Sequence, residues 1–381
     1  MSKALPFLLS AACLTAAISA QAITVTESNM VVTTAGLSAT SHQPPLFDLK
    51  ADALLTDHAF QHGWYYRVAG DARELSLRNI GGVVTGGFGP THGDRDFSNV
   101  DNRGLLKVSL DYDVYASGPA SGVFISRCTV MNTSNAPVTF DMFAYSDLDI
   151  ANTSGDDTCH GNNSSHFVGD GSGVQVEIRA NGNDLSQASA FPGLRNQLTD
   201  LAITTLSGAP PIFTGDYTGA FQWQNRTLQP FEQRTYTVTF AVDTAAVALP
   251  QVEHYGAGNS TSLEIHTQFL PLQDNSLTRN FAIQLKGALP NAEYRIAIGQ
   301  LPWTPMPFIN GIDLWVDPFA LIGIYGGLCS ATGDAFELFF IPPSPYLTGF
   351  PVFGQVFAVD PAAPNGFAHF SAAMRLRIGK L

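Results

Sequence analysis

The chain is poor in charge. Only 13% of its 381 residues are Asp, Glu, Lys or Arg, against roughly a quarter in an ordinary soluble domain. That shortage excludes a highly charged disordered chain and a charge-laced coiled coil. Base is scarcer than acid: 19 Lys and Arg stand against 32 Asp and Glu, a net charge of −13, and the bases gather into no stripe. Nucleic acid and anionic membrane surfaces are therefore not expected partners. Long apolar runs are missing after the first 22 residues. The richest later one, Phe308–Gly327, is broken by Asn310, Asp313, Asp317 and Pro318, so no membrane insertion is expected. Also missing are a Gly-x-Ser-x-Gly nucleophile turn, a phosphate-cradling glycine loop and a paired-cysteine metal knuckle.

Residues 1–22 are expected to be a signal peptide. Lys3 supplies the positive start, Leu5–Ile18 the apolar stretch, and Ala20-Gln21-Ala22 a small-x-small cleavage site. Lipidation at Cys13 is the rival reading, against which Ser10 stands where an aliphatic residue is wanted. Either way the protein is expected to be secreted or periplasmic. Removing the leader takes away one base and no acid. In an oxidising compartment a cysteine pair tends to close. Cys128 and Cys159 fall in one expected domain and are paired here, leaving Cys329 as a small buried residue.

Thirty-five glycines and 23 prolines suit many short strands and turns, and no long stretch carries a helical period. Strand signals recur instead. Leu106, Val108, Leu110, Tyr112 and Val114 alternate with Lys107, Ser109, Asp111 and Asp113. Tyr236, Val238, Phe240 and Val242 alternate with threonines and Ala241. The stretch Gly122–Ile150 reads as a hairpin turning at residues 132–137, with Val138, Phe140, Met142, Ala144, Ser146 and Leu148 on the core face. Tyr217–Gln224 and Thr235–Asp243 read as a second hairpin. Asn79–Gly104, Ala151–Gly173 and Ala180–Asp216 read as irregular. The expectation is an all-β chain: a large N-terminal antiparallel β-sandwich over 23–250, a linker over 251–263, and a smaller C-terminal β-sandwich over 264–381.

The other face of the 138–149 strand carries Asp141, Phe143, Tyr145, Asp147 and Asp149. Strand geometry sets Asp147 and Asp149 roughly 7 Å apart at Cα on one side. With Asn152, Asp156 and Asp157 they place hard oxygens within one short span, the donor type calcium takes. The spacing is not that of an EF-hand, and wet acidic loops are common without metal. The metal-free loop is the leading expectation, and calcium is the candidate cofactor, on Asp147, Asp149, Asn152, Asp156 and Asp157. Paired carboxylates also serve glycoside hydrolysis. Tyr65 and Tyr145 could flank Asp147 and Asp149 in a ligand-binding surface, stacking sugar rings; burial in the core is the competing expectation. His58, His62, His160 and His166 read as ordinary histidines.

From about residue 264 the chain resembles a small β-sandwich module found at the C-termini of exported proteins of environmental bacteria. The carrying segments are Gly311-Ile-Asp-Leu-Trp-Val-Asp-Pro318, Thr332-Gly-Asp334, Ile341-Pro-Pro-Ser-Pro-Tyr-Leu-Thr-Gly349 and Gly354-Gln-Val356. The first part is similar to uncharacterised exported bacterial β-proteins through Asp57-His-Ala-Phe-Gln61 and Phe143-Ala-Tyr-Ser-Asp147. The resemblance implies a two-domain β-fold and no activity. The functional expectation is an exported, non-catalytic binding or structural protein at the cell exterior, with a polysaccharide or a surface protein as partner. The alternative is a carbohydrate-active enzyme, hydrolase or lyase, that uses the acidic cluster.

Overall fold

The computed structural model describes residues 22–34, 45–52, 54–77, 83–84, 90–243, 251–260, 263–268, 281–309, 312–342, 347 and 350–378. The expected leader lies outside them, Ala22 excepted. In chain order the elements are β1 (Ile23–Glu27), β2 (Met30–Thr34), β3 (Phe47–Ala51), β4 (Gln61–Val68), β5 (Leu75–Ser76), β6 (Val83–Val84), β7 (His92–Phe97), β8 (Leu106–Gly118), β9 (Ser121–Asn132) and β10 (Val138–Asp147). There follow β11 (Asp157–Asn162), β12 (Ser165–Gly169), β13 (Gln175–Ala180), β14 (Leu185–Ala190), α1 (Gly193–Thr199), β15 (Phe213–Gly215), β16 (Tyr217–Leu228) and β17 (Gln233–Val242). The last set is β18 (Gln251–Tyr255), β19 (Glu264–Gln268), β20 (Phe281–Lys286), β21 (Glu293–Gly299), β22 (Pro302–Ile309), β23 (Ile312–Val316), β24 (Leu321–Leu328), β25 (Ala335–Phe339), β26 (Pro351–Val359) and β27 (Ala368–Arg377).

The protein is all-β. One sheet of the large lobe runs β15-β11-β12-β13-β17-β9-β8-β7-β6, the opposing one β14-β16-β10-β4-β5, and β1-β2-β3 forms a third. The small lobe has a five-stranded sheet, β18-β27-β26-β21-β24, a three-stranded sheet, β19-β20-β25, and the pair β22-β23. Alternation predicted the core faces correctly. Leu106, Val108, Leu110, Tyr112 and Val114 of β8, Val138, Phe140, Met142 and Ala144 of β10, and Tyr236, Val238, Phe240 and Val242 of β17 all enter one cluster between the two large sheets. Each large side chain so buried contributes roughly 1.5–3 kcal/mol.

The faces expected to be wet are covered as well. Behind β10, Tyr65, Phe143, Tyr145 and Ala220 pack under Leu194 and Leu198 of α1 and under Leu206. Behind β8 and β9, Tyr115, Val123 and Ile125 join the small lobe's core, with Ile265, Ile283, Ile296 and Val356. Ion pairs stitch the same seam: Lys286 Nζ lies 2.8 Å from Asp94 and 2.9 Å from Asp96, Lys107 meets Glu264, and Arg127 donates to Asp113 and to Thr267.

Several expectations are corrected. The 122–150 stretch is not a hairpin. β9 pairs with β8 and β17, while β10 pairs with β16 and β4, so the turn carries the chain from one sheet to the other. The same holds for β16 and β17. The two crossings lie together: Asn132 Nδ2 donates to the carbonyls of Ala136 (2.8 Å) and Leu228 (3.0 Å), and the Phe231 amide donates to the Asn132 carbonyl (2.9 Å). The segments read as irregular hold β7, β11, β12, β14 and α1, short pieces whose polar residues masked the period. The expected linker begins with β18, which pairs with β27.

Cys128, Cys159 and Cys329 are all free and buried, so the expected 128–159 disulfide is absent. Cys128 on β9 and Cys159 on β11 are separated in their sheet by β17, β13 and β12. Four strand spacings come to about 19 Å, and a disulfide needs Cα atoms within about 7 Å. Alkylation in denaturant without reductant is expected to label all three; a mass-mapped 128–159 link would contradict this arrangement.

Candidate functional site

The acidic end of β10 is built by register. Asp147 closes the strand, opposite Gln61 of β4 on one side and Thr218 of β16 on the other. Cross-strand partners share a face. The β10–β16 alignment then continues past the strand ends, where the Leu148 amide donates to the Tyr217 carbonyl at 3.3 Å. One more step sets Asp149 against Asp216. The result is three carboxylates, Asp147, Asp149 and Asp216, with one oxygen of each within 4.8 Å of the others. Asp157, the first residue of β11, faces them electrostatically and takes the Tyr217 amide on Oδ2 at 3.2 Å.

These carboxyls lack compensation. Burial pushes Asp147 up to about 8, with Asp149 and Asp216 adding to it; the Tyr145 hydroxyl, 3.4 Å from Oδ2, and Arg195 of α1 pull the other way. Asp157 is pushed up to about 7 by burial, then by Asp156, Asp149 and Asp216. Asp149 is raised by burial and by Asp216, and Asp216 by burial. Two buried oxygens nearby, Gln61 Oε1 and Asp157 Oδ1, have no hydrogen-bond partner.

Of the residues expected from sequence, the structure unites Asp147 and Asp149 and sets Asp157 beside them. Asn152 and Asp156 are exposed and outside the group; Asp156 Oδ1 accepts from the Thr153 hydroxyl at 3.0 Å instead. Asp216 was missed, since nothing in the sequence tells which strand lies beside β10. Tyr65 and Tyr145 are fully buried, each 0% exposed, so neither offers a ring face for stacking. The histidines divide. His62 and His166 are buried, and His166 bonds the Tyr217 hydroxyl (2.7 Å) and Ser186 (3.1 Å). His160 is exposed and stacks on Phe167.

A polar cavity of about 360 Å³ opens where the lobes meet, lined among others by Asn181, Trp223, Arg226, Arg234, Glu253 and His254. It exists because β13 stops early. The last β13–β17 pair is Ala180 with Val238, which leaves residues 233–237 of β17 without a strand on that side. The Asn181 amide caps the Thr237 carbonyl at 3.2 Å. By strand alternation the backbone amide and carbonyl of Thr235 point the same way, into the cavity. Arg226 and Arg234 are tethered through Nη2 to Asp184 (2.8 Å) and Glu232 (3.2 Å). A second cavity, of about 220 Å³, lies in the small lobe; Tyr325 is the one lining side chain there with a polar atom.

The sequence matches no family model and no curated protein. Among solved structures, a bacterial glucoamylase complexed with acarbose overlaps 60% of this chain at 10% identity and a TM-score of 0.42. The chain spans 33% of that enzyme's length. A galactose mutarotase-related enzyme from Lactobacillus acidophilus overlaps 59% of this chain and 98% of its own, at 8% identity and a TM-score of 0.39. A polysaccharide lyase overlaps 93% of this chain and 46% of its own, at 10% identity and a TM-score of 0.32. Among the described residues no helix is long and apolar enough to cross a membrane.

Proposed function

We propose that this chain is an exported, non-catalytic binding protein whose ligand is polyhydroxylated, a polysaccharide at the cell exterior. The observation that carries the reading is the cavity between the lobes. Its volume falls within the range of small-ligand sites. Its donors and acceptors alternate: two guanidiniums, an amide side chain, the carboxylate of Glu253 and the free backbone edge at Thr235. A sugar hydroxyl both donates and accepts, and such a lining serves both. The leader-like residues 1–22 support export. The test is a polysaccharide panel scored for retention and for release of reducing ends. Retention without cleavage is expected, weakened at least tenfold in Arg226→Ala/Arg234→Ala; equal retention by that variant would refute the site.

A second reading has an observation of its own. Asp147, held protonated near neutrality beside Asp149 and Asp216, is arranged as an acid beside a base, the pair a glycoside hydrolase or lyase needs. Burial weighs against it, because Asp147 is 1% exposed and its neighbour Tyr145 is sealed. Release of reducing ends that disappears in Asp147→Asn would decide for the enzyme.

A further inference from the structure

We propose that Asp147, Asp149, Asp216 and Gln61 form a calcium site that staples the two sheets of the large lobe together. The inference goes beyond the binding reading and does not rest on it.

Geometry comes first. Oxygens bound to one calcium at about 2.4 Å can be no more than about 4.8 Å apart, the span across the ion. Asp147, Asp149 and Asp216 each offer an oxygen within 4.8 Å of the other two. The second, independent observation is an orphaned acceptor. Gln61 is 5% exposed, yet its Oε1 has no hydrogen-bond partner. A buried oxygen left unsatisfied costs about 1–3 kcal/mol, which calls for a partner. Gln61 stands directly across from Asp147 on the same face, which sets its buried side chain beside the cluster. Asp157 lies outside the group and adds its charge to it. A cation that displaces the carboxyl protons turns all of these oxygens into acceptors and satisfies them together.

The donor set chooses the ion. It is oxygen throughout, three carboxylates and an amide carbonyl, with no imidazole or thiolate in the group, which disfavours zinc. Calcium accepts six to eight such oxygens in irregular geometry. Magnesium demands a small octahedron and keeps several waters. A site assembled by side chains from three separate segments suits calcium.

The placement gives the ion its task. Asp147 ends β10 and Gln61 begins β4, both in the five-stranded sheet. Asp216 stands at the junction between β15, of the larger sheet, and β16, of the smaller. Asp149 leads into the turn at Ile150–Asn152. One ion therefore closes the end of the sandwich where both sheets and three connections meet.

The test uses the whole chain, stripped with chelator and desalted, then followed by thermal melting and by calorimetric titration with calcium chloride or magnesium chloride alone. Calcium at 1 mM is expected to raise the melting temperature by roughly 5 °C or more, with magnesium giving less than half that shift. Asp147→Asn sits in the interior and could fail to fold, so the deciding variants are Asp216→Asn, at a half-buried position, and Gln61→Leu. Asp216→Asn should keep the wild-type circular dichroism spectrum and lose at least tenfold in calcium affinity. Gln61→Leu should also weaken binding. No melting shift and no heat in the wild type would overturn the proposal, as would a wild-type calcium response in Asp216→Asn. No sugar enters these measurements, so their failure leaves the binding reading standing, and the reverse.

Discussion

Replacing Arg127 with methionine is expected to destabilise the protein by roughly 3–5 kcal/mol, a fall in melting temperature on the order of 10 °C. Arg127 is 2% exposed and Asp113 0%. The guanidinium reaches Asp113 through Nη2 and the Thr267 hydroxyl through Nη1, and it is the largest of the favourable charges acting on buried Asp111. Methionine would keep most of the volume and leave two buried carboxylates, with His92, 2.8 Å from Asp113, as the nearer relief. The loss therefore comes from stranded charge, not from a cavity. That distinction is testable. Arg127→Met/Asp113→Asn removes both charges and is expected to recover at least half of the loss, as buried pairs do when both partners go. Urea denaturation of the single and double variants reads it. A single variant within about 1 kcal/mol of wild type would show that the seam between the lobes does not depend on this pair.

Arg127 also marks where the sequence was legible and where it was not. The strand around it, read from sequence only as apolar, keeps the period of two: Phe124, Cys128 and Val130 face one way and Val123 and Ile125 the other. That period could not tell that the second face was covered, because a second lobe brings its own apolar strands to a face already carrying Lys107, Asp111 and Asp113. Alternation is a local signal; the neighbour of a strand is not. The turn at residues 133–137 looks the same whether it closes a hairpin or crosses between sheets, so the pairing of β10 with β16 was hidden. Asp216 was hidden with it, since it joins Asp149 only through that pairing. Asn152 and Asp156 were drawn in for the converse reason, nearness in the chain. The disulfide failed on the same ground: shared domain membership says nothing about four intervening strand spacings. Glycine and proline counts, low charge and the absence of helical period were sufficient for the fold class, because each reports a property that survives any rearrangement of strand order.

Lowering the pH below 6.5 is expected to draw stability out of this core through its histidines, and His62 is the place to see it. His62 lies inside the sandwich against Phe47, Phe124 and Phe240. Its Nδ1–H donates to the Tyr145 carbonyl at 2.9 Å, which fixes the tautomer, and Nε2 accepts from the Ser126 hydroxyl at 2.9 Å. No acid is paired with it, and burial drives its pKa from 6.5 down to about 3. His166 and His254 are displaced the same way, each to about 3 and each mainly by burial. The folded state thus prefers these rings neutral. Their stabilisation is complete above 6.5, the value in the unfolded chain, and is lost as pH falls from there toward 3, at about 1.4 kcal/mol per pH unit for each ring. Raised carboxyls work against this trend: Asp57, at about 6, stabilises the fold in acid and loses that contribution as pH rises through its folded value. The whole-protein curve mixes both signs, so the difference between wild type and His62→Asn is the informative quantity. Asparagine keeps one donor and one acceptor and cannot titrate. Above pH 7 the variant is expected to be less stable by a constant roughly 2 kcal/mol, from lost packing and imperfect bonds. Below 6.5 the gap should narrow by about 1.4 kcal/mol per pH unit and vanish near pH 5, as wild type alone is forced to choose between a buried charge and unfolding. Urea midpoints at pH 5, 6, 7 and 8 measure the gap, and a gap that stays level across that range would mean the ring is charged, or wet, in the folded protein.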